Sequence, residues 1–155
     1  MGSQDHAPKK LASNRKALFE YSVLERIEAG IELRGTEVKS IKGGGASLVG
    51  GFAREDAGQV WLHSTNIPPY EQGNRFNHAA DRPRRLLLHK REIEKIAAKT
   101  QQKGFALVPL SLYLKRGIIK VELGLCKGKT HADKRDTLRR KDADKEIQRA
   151  VAAHR

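Results

Sequence analysis

Cysteine is almost absent from this chain. Cys126 is its only one, so no disulfide framework and no cysteine-based zinc site forms within a single chain, and the usage fits a reducing cytosol. Long apolar runs are also missing. None approaches the roughly 18 residues that span a bilayer. The first ten residues, MGSQDHAPKK, lack the apolar stretch of a signal peptide, and His6 stands where a myristoylation signal needs Ser or Thr. A soluble, cytoplasmic protein without membrane partners is expected. Acidic residues are in short supply: 18 Asp plus Glu stand against 31 Lys plus Arg, for a net charge of +13 and a pI of about 10.1 in 155 residues. Such a surplus favours a polyanionic partner.

Enzymatic signatures fail one by one. The six histidines, at 6, 63, 78, 89, 131 and 154, form no HExxH and no zinc-type spacing. GGGASLVGG lacks the Gly-Lys-Ser/Thr ending of a phosphate loop, and Leu48 occupies the last glycine position of a dinucleotide fingerprint. There is no GxSxG elbow. Carboxylates mostly neighbour Lys or Arg, as in HKREIEK and DKRD. No catalytic residue, metal or cofactor is assigned. A hydrolase built on His78 or His89 is the remaining enzymatic alternative.

What is present divides the chain into three: a mobile arm over 1–13, a body over 14–126, and a basic tail over 127–155. In the body, Phe19, Tyr21 and Val23 alternate with polar residues, and Ile31 and Leu33 resume the pattern after Glu28-Ala29-Gly30, which predicts a hairpin turning there. Thr36 is placed to cap a short helix ended by Gly43, Gly44 and Gly45. A second hairpin turns at Ala57-Gly58 and a third at Arg116-Gly117. Between them, Ile93, Ile96, Ala97 and Thr100 fall at helical spacing, closed by Gly104. About six strands in three hairpins, with flanking helices, predict a mainly β fold closed into a small barrel, filled by its own side chains and binding ligands on its outside.

The segment IPPYEQGNRFNHAADRPRRLLLHKRE, 67–92, reads as a basic loop. Arg75, Arg82, Arg84, Arg85, Lys90 and Arg91 suit phosphates. Gln72, Asn74, Asn77 and His78 suit base edges or 2′-hydroxyls, and Tyr70 and Phe76 either stack on bases or anchor the loop. Arg15 and Lys16 follow Asn14, Lys39 and Lys42 share a helix face, and Lys115, Lys120, Lys127 and Lys129 flank the last hairpin. In the tail, Leu138, Ile147 and Val151 are the only large apolar residues. Such a stripe predicts a segment disordered alone and helical against a partner, with an ordinary docked helix as the alternative.

Several segments in one order carry a resemblance: NRKALFEY, EAGIELRGTEVKSIK, VWLHSTNIPPYEQGNRFNH, RPRRLLLHKREIEKI, GFALVPLSLYLKRG and IKVELGLCKGKTHADKRDTLRRKDADKEI. From Asn14 to Ile147 the chain resembles the small protein B family, bacterial proteins that bind tmRNA (SsrA RNA). The resemblance implies an OB-type barrel that binds the tRNA-like domain of tmRNA. With elongation factor Tu, it delivers that RNA to ribosomes stalled on truncated messages, and it catalyses nothing itself. It implies that Asn14, Glu28 and Leu88 lie on the RNA-binding face, joined in our reading by Arg15, Lys16, Lys39, Lys42, Asn74, Arg75, His78, His89, Lys90, Arg91 and Lys120. It implies a tail that becomes helical in the decoding centre and mRNA channel of the small ribosomal subunit. The tail residues assigned to that contact are Lys127, the hinge Gly128, Lys129, His131, Asp133, Lys134, Arg135, Arg139, Arg140 and Lys141. Two departures stand out. Ala132 precedes Asp133 where the family commonly carries an aromatic or histidine, with His131 one residue earlier, and KGGG follows the short helix where a basic residue is expected. A different OB-type RNA chaperone with a nonspecific basic arm is the runner-up reading.

Overall fold

The structure, a computed structural model, describes residues 8–70, 79–129, 135, 138 and 139. Its elements run β1 (Lys9–Ser13), α1 (Arg15–Glu20), β2 (Tyr21–Ile31), α2 (Gly35–Lys42), β3 (Phe52–Asp56), β4 (Gln59–His63), β5 (Arg84–Leu87), α3 (Lys90–Thr100), β6 (Phe105–Lys115) and β7 (Ile118–Gly128). All strand pairings are antiparallel, in the order β1-β6-β3-β4-β5-β2-β7, and β6 also pairs with β7. Six strands therefore close into a ring, with β1 laid along the outer part of β6. Ring closure leaves few unpaired backbone edges, the liability of an open sheet.

Alternation decides what fills the ring. Ile27, Ala29 and Ile31 of β2, Val60 and Leu62 of β4, Leu86 of β5, and Val121 and Leu123 of β7 point inward and are buried, joined by Ile41 and Ile96 from the helices. Each fully buried aliphatic side chain contributes about 1.5–3 kcal/mol. Outward positions on the same strands are mostly polar, as at Glu28, Gln59, Arg85, Lys120 and Glu122, with apolar exceptions such as Trp61 and Leu87.

The two short turns obey their chemistry. Ala57 and Arg116 have φ of 52° and are followed by Gly58 at 82° and Gly117 at 80°, the left-handed pair that joins tightly twisted strands. Both hairpins stand where the sequence places them, and so do α2 and α3, except that α2 is capped by Arg34 and Thr36, read as its cap, lies inside it.

Three expectations are corrected. The first hairpin does not exist: β2 runs unbroken from Tyr21 to Ile31, pairing with β7 from Tyr21↔Gly128 to Gly30↔Lys120. Gly30 sits inside the strand because Leu87 crowds it; a Cβ there would lie 3.1 Å from the Leu87 Cβ. Phe19 belongs to α1, because Asn14 caps a helix at Ala17. The arm read over 1–13 ends in a strand, since Lys9–Ser13 pair with β6. The body also continues beyond residue 126, to the end of β7 at Gly128.

Candidate nucleic-acid interface

On the outer wall, β2, β5 and β7 and the start of α3 meet around a cleft of about 470 Å³, lined by Glu28, Gly30, Gln59, Arg85, Leu86, Leu87, Leu88, His89, Glu92 and Lys120. Four residues assigned from sequence to the RNA face come together here: Glu28, Leu88, His89 and Lys120. Strand register explains it. Gly30 pairs with Leu87 on one side and with Lys120 on the other, so one backbone position links the apolar LLL segment to the β7 lysine. Leu87 is 49% exposed, an apolar floor open to solvent. Glu92 accepts a hydrogen bond from the His89 N–H at 3.0 Å, which fixes the first turn of α3 beside the cleft. Lys90 and Arg91 open that helix and are exposed.

Glu28 is one of two carboxylates in the cleft lining, with Glu92, set against Arg85 and Lys120. Its Oε2 accepts from the Tyr113 hydroxyl, and Lys115 Nζ lies 3.3 Å and 3.4 Å from its two oxygens. The Tyr113 hydrogen bond, with help from Lys115 and Lys120, holds the Glu28 carboxyl below its ordinary range against a modest opposing effect of burial. Burial and the adjacent carboxylate push the Tyr113 phenol upward, so it stays a donor at neutral pH. Glu28 also lines a second hollow with Pro8, Lys10, Ser111, Tyr113 and Glu122.

The arginines of the basic loop serve different ends. Arg84 is fully buried. Its Nε donates to Glu37 Oε2 at 2.6 Å, Nη1 to the Thr65 carbonyl at 3.0 Å, and Nη2 to the Ala80 carbonyl at 3.0 Å. Arg82 donates to both oxygens of the same glutamate, through Nε at 3.0 Å and through Nη2. Glu37, also fully buried, takes a further bond from the Arg34 N–H at 2.8 Å. Burial alone would raise the Glu37 carboxyl; the bonds from Arg82, Arg34 and Arg84, with the Arg84 charge, outweigh it and hold the group below its ordinary range. Arg84 is thus a strut inside the protein rather than a phosphate contact, and the part-exposed Arg82 braces the same carboxylate from its outer side. Arg85, on the cleft wall, pairs with Glu32 at 2.9 Å.

Asn14 stands away from the cleft and is 2% exposed. Its Oδ1 accepts from the Ala17 N–H at 3.1 Å, and its Nδ2 donates to the carbonyls of Leu48 at 3.2 Å and Pro109 at 2.9 Å. Both donors of the amide are taken up in clasping α1 to β6 and the turn after α2, at the edge of a separate hollow that Asn14 lines. Arg15 and Lys16 are exposed on α1, and Lys16 lines the same hollow, of about 310 Å³, with Gly51 and Phe52. Lys39 and Lys42 are exposed on α2, away from the cleft lining; Lys39 Nζ sits 5.6 Å over the Tyr70 ring. Asn74, Arg75 and His78 lie outside the described residues. At the tail junction, Lys127 Nζ lies 5.9 Å from the Phe105 ring centroid, Gly128 is still paired with Tyr21, and Lys129 donates through Nζ to the Leu18 carbonyl at 3.1 Å. Arg135, Leu138 and Arg139 have helical backbone and are exposed. His131, Asp133, Lys134, Arg140 and Lys141 lie outside the described residues.

Sequence reasoning missed Gly30, Gln59, Glu92 and Tyr113. Only Gly30 carried a signal, a glycine inside an apolar alternation. Among the described residues, no group of three or more His, Cys, Asp or Glu could hold a metal, and no helix is long and apolar enough to cross a membrane.

A closed ring of strands with a cleft of mixed apolar and charged lining on its outer wall defines a basic, strand-built module. The particular family follows from comparison. A family model described as "SmpB protein" matches residues 11–153, and the chain belongs to that family. An SsrA-binding protein of Carboxydothermus hydrogenoformans is 54% identical over 145 residues, covering 94% of this chain and 97% of that one. One from Staphylococcus carnosus is 50% identical over 145 residues, covering 94% and 93%. A solved structure described as "tmRNA-SmpB: a journey to the center of the bacterial ribosome" matches with a TM-score of 0.66 and 45% identity, over 83% of this chain and 94% of that one.

Proposed function

We propose that this chain binds the tRNA-like domain of tmRNA and, with elongation factor Tu, delivers it to stalled ribosomes in trans-translation. In this reading the ring is an OB-type barrel and its wall is the RNA face. The basic tail enters the empty decoding centre and mRNA channel, and the protein works in the cytoplasm as an adaptor rather than an enzyme. The observation that carries the reading is the cleft. Glu28, Leu88, His89 and Lys120, distant in sequence, share one concavity on the outer wall. Its chemistry suits folded RNA: a cation for phosphate, a carboxylate acceptor for 2′-hydroxyl or amino donors, and an exposed leucine floor for a base or ribose face.

The test is binding to a tRNA-like hairpin domain against an unrelated stem-loop of equal length. Preference that persists at physiological salt is expected, whereas a nonspecific arm loses affinity and preference together as salt rises. Removing residues 130–155 is expected to leave that preference nearly intact and to abolish tagging of nascent chains in a translation extract. Loss of RNA affinity on truncation would overturn the division of labour between wall and tail.

A further inference from the structure

Tyr113 and Glu28 are not neighbours in the sheet. Tyr113 lies on β6 opposite Lys120 of β7, while Glu28 lies on β2 opposite Glu122 of β7. Their contact therefore spans the whole width of β7. Two strand spacings of about 4.8 Å and a two-residue offset of about 6.8 Å put such positions about 12 Å apart, a gap that a tyrosine and a glutamate close only when both extend toward each other. The alternative for Glu28 is poor. Directly across the strand pair stands Glu122, and like charges facing each other are destabilising. Glu122 is drawn off by Arg26. Glu28 is drawn the other way, by Tyr113 and Lys115. Tyr113 is 8% exposed, so its ring is fixed by packing, and a fixed donor fixes its acceptor. Lys115, with its side chain 43% exposed, is a looser partner.

The position of Glu28 gives this consequence. Glu28 lines both the cleft and the second hollow. Tyr113 lines only the second. A carboxylate has about four lone-pair sites. The Tyr113 hydroxyl takes one on Oε2 and Lys115 shares one on each oxygen, which leaves at least one acceptor site on Glu28.

We propose that Tyr113 is a positioning residue for RNA recognition: its hydroxyl, reaching across β7, sets the orientation in which Glu28 accepts hydrogen bonds from a 2′-hydroxyl or amino donor of the RNA. The proposal rests on the RNA-binding reading of the cleft. It adds a residue that need not touch RNA there, and a reason that a carboxylate stands in a basic face.

The experiment is a double-mutant cycle in the full-length chain with Tyr113→Phe, Glu28→Gln and the pair, reading affinity for the tRNA-like hairpin domain. Phe keeps the packed ring and removes only the hydroxyl. Tyr113→Phe is expected to weaken binding roughly tenfold, within the coupling range of contacting residues, and the double variant to bind no worse than Glu28→Gln alone. A second readout needs no RNA. The Glu28 carboxyl, followed by carbon-detected NMR in the free protein, is expected to titrate at higher pH in Tyr113→Phe, with Lys115, Lys120, Glu122, Arg26 and Lys10 as the other charged groups around it unchanged. Unaltered affinity in Tyr113→Phe, losses that add in the double variant, or an unmoved Glu28 titration would each overturn the proposal. Absence of hairpin binding by the unmodified chain would instead overturn the reading of the cleft.

Discussion

Replacing Glu37 by leucine removes the anion from the most completely buried charge cluster among the described residues. The size of the effect follows from who loses what. Arg82, with its side chain 24% exposed, can turn toward water. Arg84 cannot, because its side chain is 0% exposed and two of its nitrogens are held by the carbonyls of Thr65 and Ala80. It is left as an uncompensated buried cation, a defect that costs about 3–5 kcal/mol. Against a total stability of about 5–15 kcal/mol this is a large share. The double variant Glu37→Leu/Arg84→Met removes both charges and is expected to be more stable than Glu37→Leu alone by about 1–2 kcal/mol, less than a full rescue because two carbonyls lose their donor. Urea unfolding followed by circular dichroism measures both. Acid gives a further signature. The folded-state value of Glu37 is depressed from its ordinary 4.5, so its contribution is fully present above about pH 4.5 and is lost as pH falls through the folded value. Glu28 is depressed too, so Glu37→Leu is expected to reduce the loss of stability below pH 4.5 and not to remove it. A cost under about 1 kcal/mol for Glu37→Leu, or strict additivity in the pair, refutes the assignment of this cluster as a strut.

Two more outcomes follow from buried groups. Asn14→Ala is expected to cost about 3 kcal/mol in urea unfolding, about 1 for the lost cap and about 2 for the Leu48 and Pro109 carbonyls it now serves, and a loss below about 0.5 kcal/mol would contradict the clasp. Cys126 is fully buried, and burial pushes its thiol up to about 11; alkylation at pH 8 is therefore expected to proceed only as fast as the protein opens, and immediate labelling of the native protein would refute that placement.

The sequence disclosed the elements whose signals are local. Both two-residue turns, α2 and α3 declare themselves through glycine position and helical spacing. The failed hairpin shows where local signals stop. Glu28-Ala29-Gly30 has turn composition, yet Ile27, Ala29 and Ile31 keep the inward alternation through it, and pairing with β7 over nearly the whole strand overrides the glycine. The site was half legible. Glu28, Leu88, His89 and Lys120 were named, by resemblance or by charge, but their meeting depends on register between β5, β2 and β7. Tyr113 was invisible because its role depends on a contact across an intervening strand. Arg84 was misplaced because a basic run looks alike whether its forks face phosphate or a buried carboxylate.

That last distinction explains the division of cations on this molecule. Arginine's planar fork binds several acceptors at once and stays charged when buried. Arg84 uses it to join α2, through Glu37, to Thr65 just before the basic loop and to Ala80 within it. A lysine has three donors too, but all on one nitrogen, so it could not reach acceptors spread around the three nitrogens of the guanidinium. The rim of the cleft is served by the opposite property. Lys120 carries a compact charge on a flexible stem and can follow a phosphate backbone, while Leu87 and Leu88 beside it supply fixed shape. Under the proposed function, shape matters because double-stranded RNA is recognised mostly by shape, and a wall must be rigid before its charges are useful. The buried Arg84, which does not reach solvent, would then serve that surface by fixing the frame on which the exposed lysines stand.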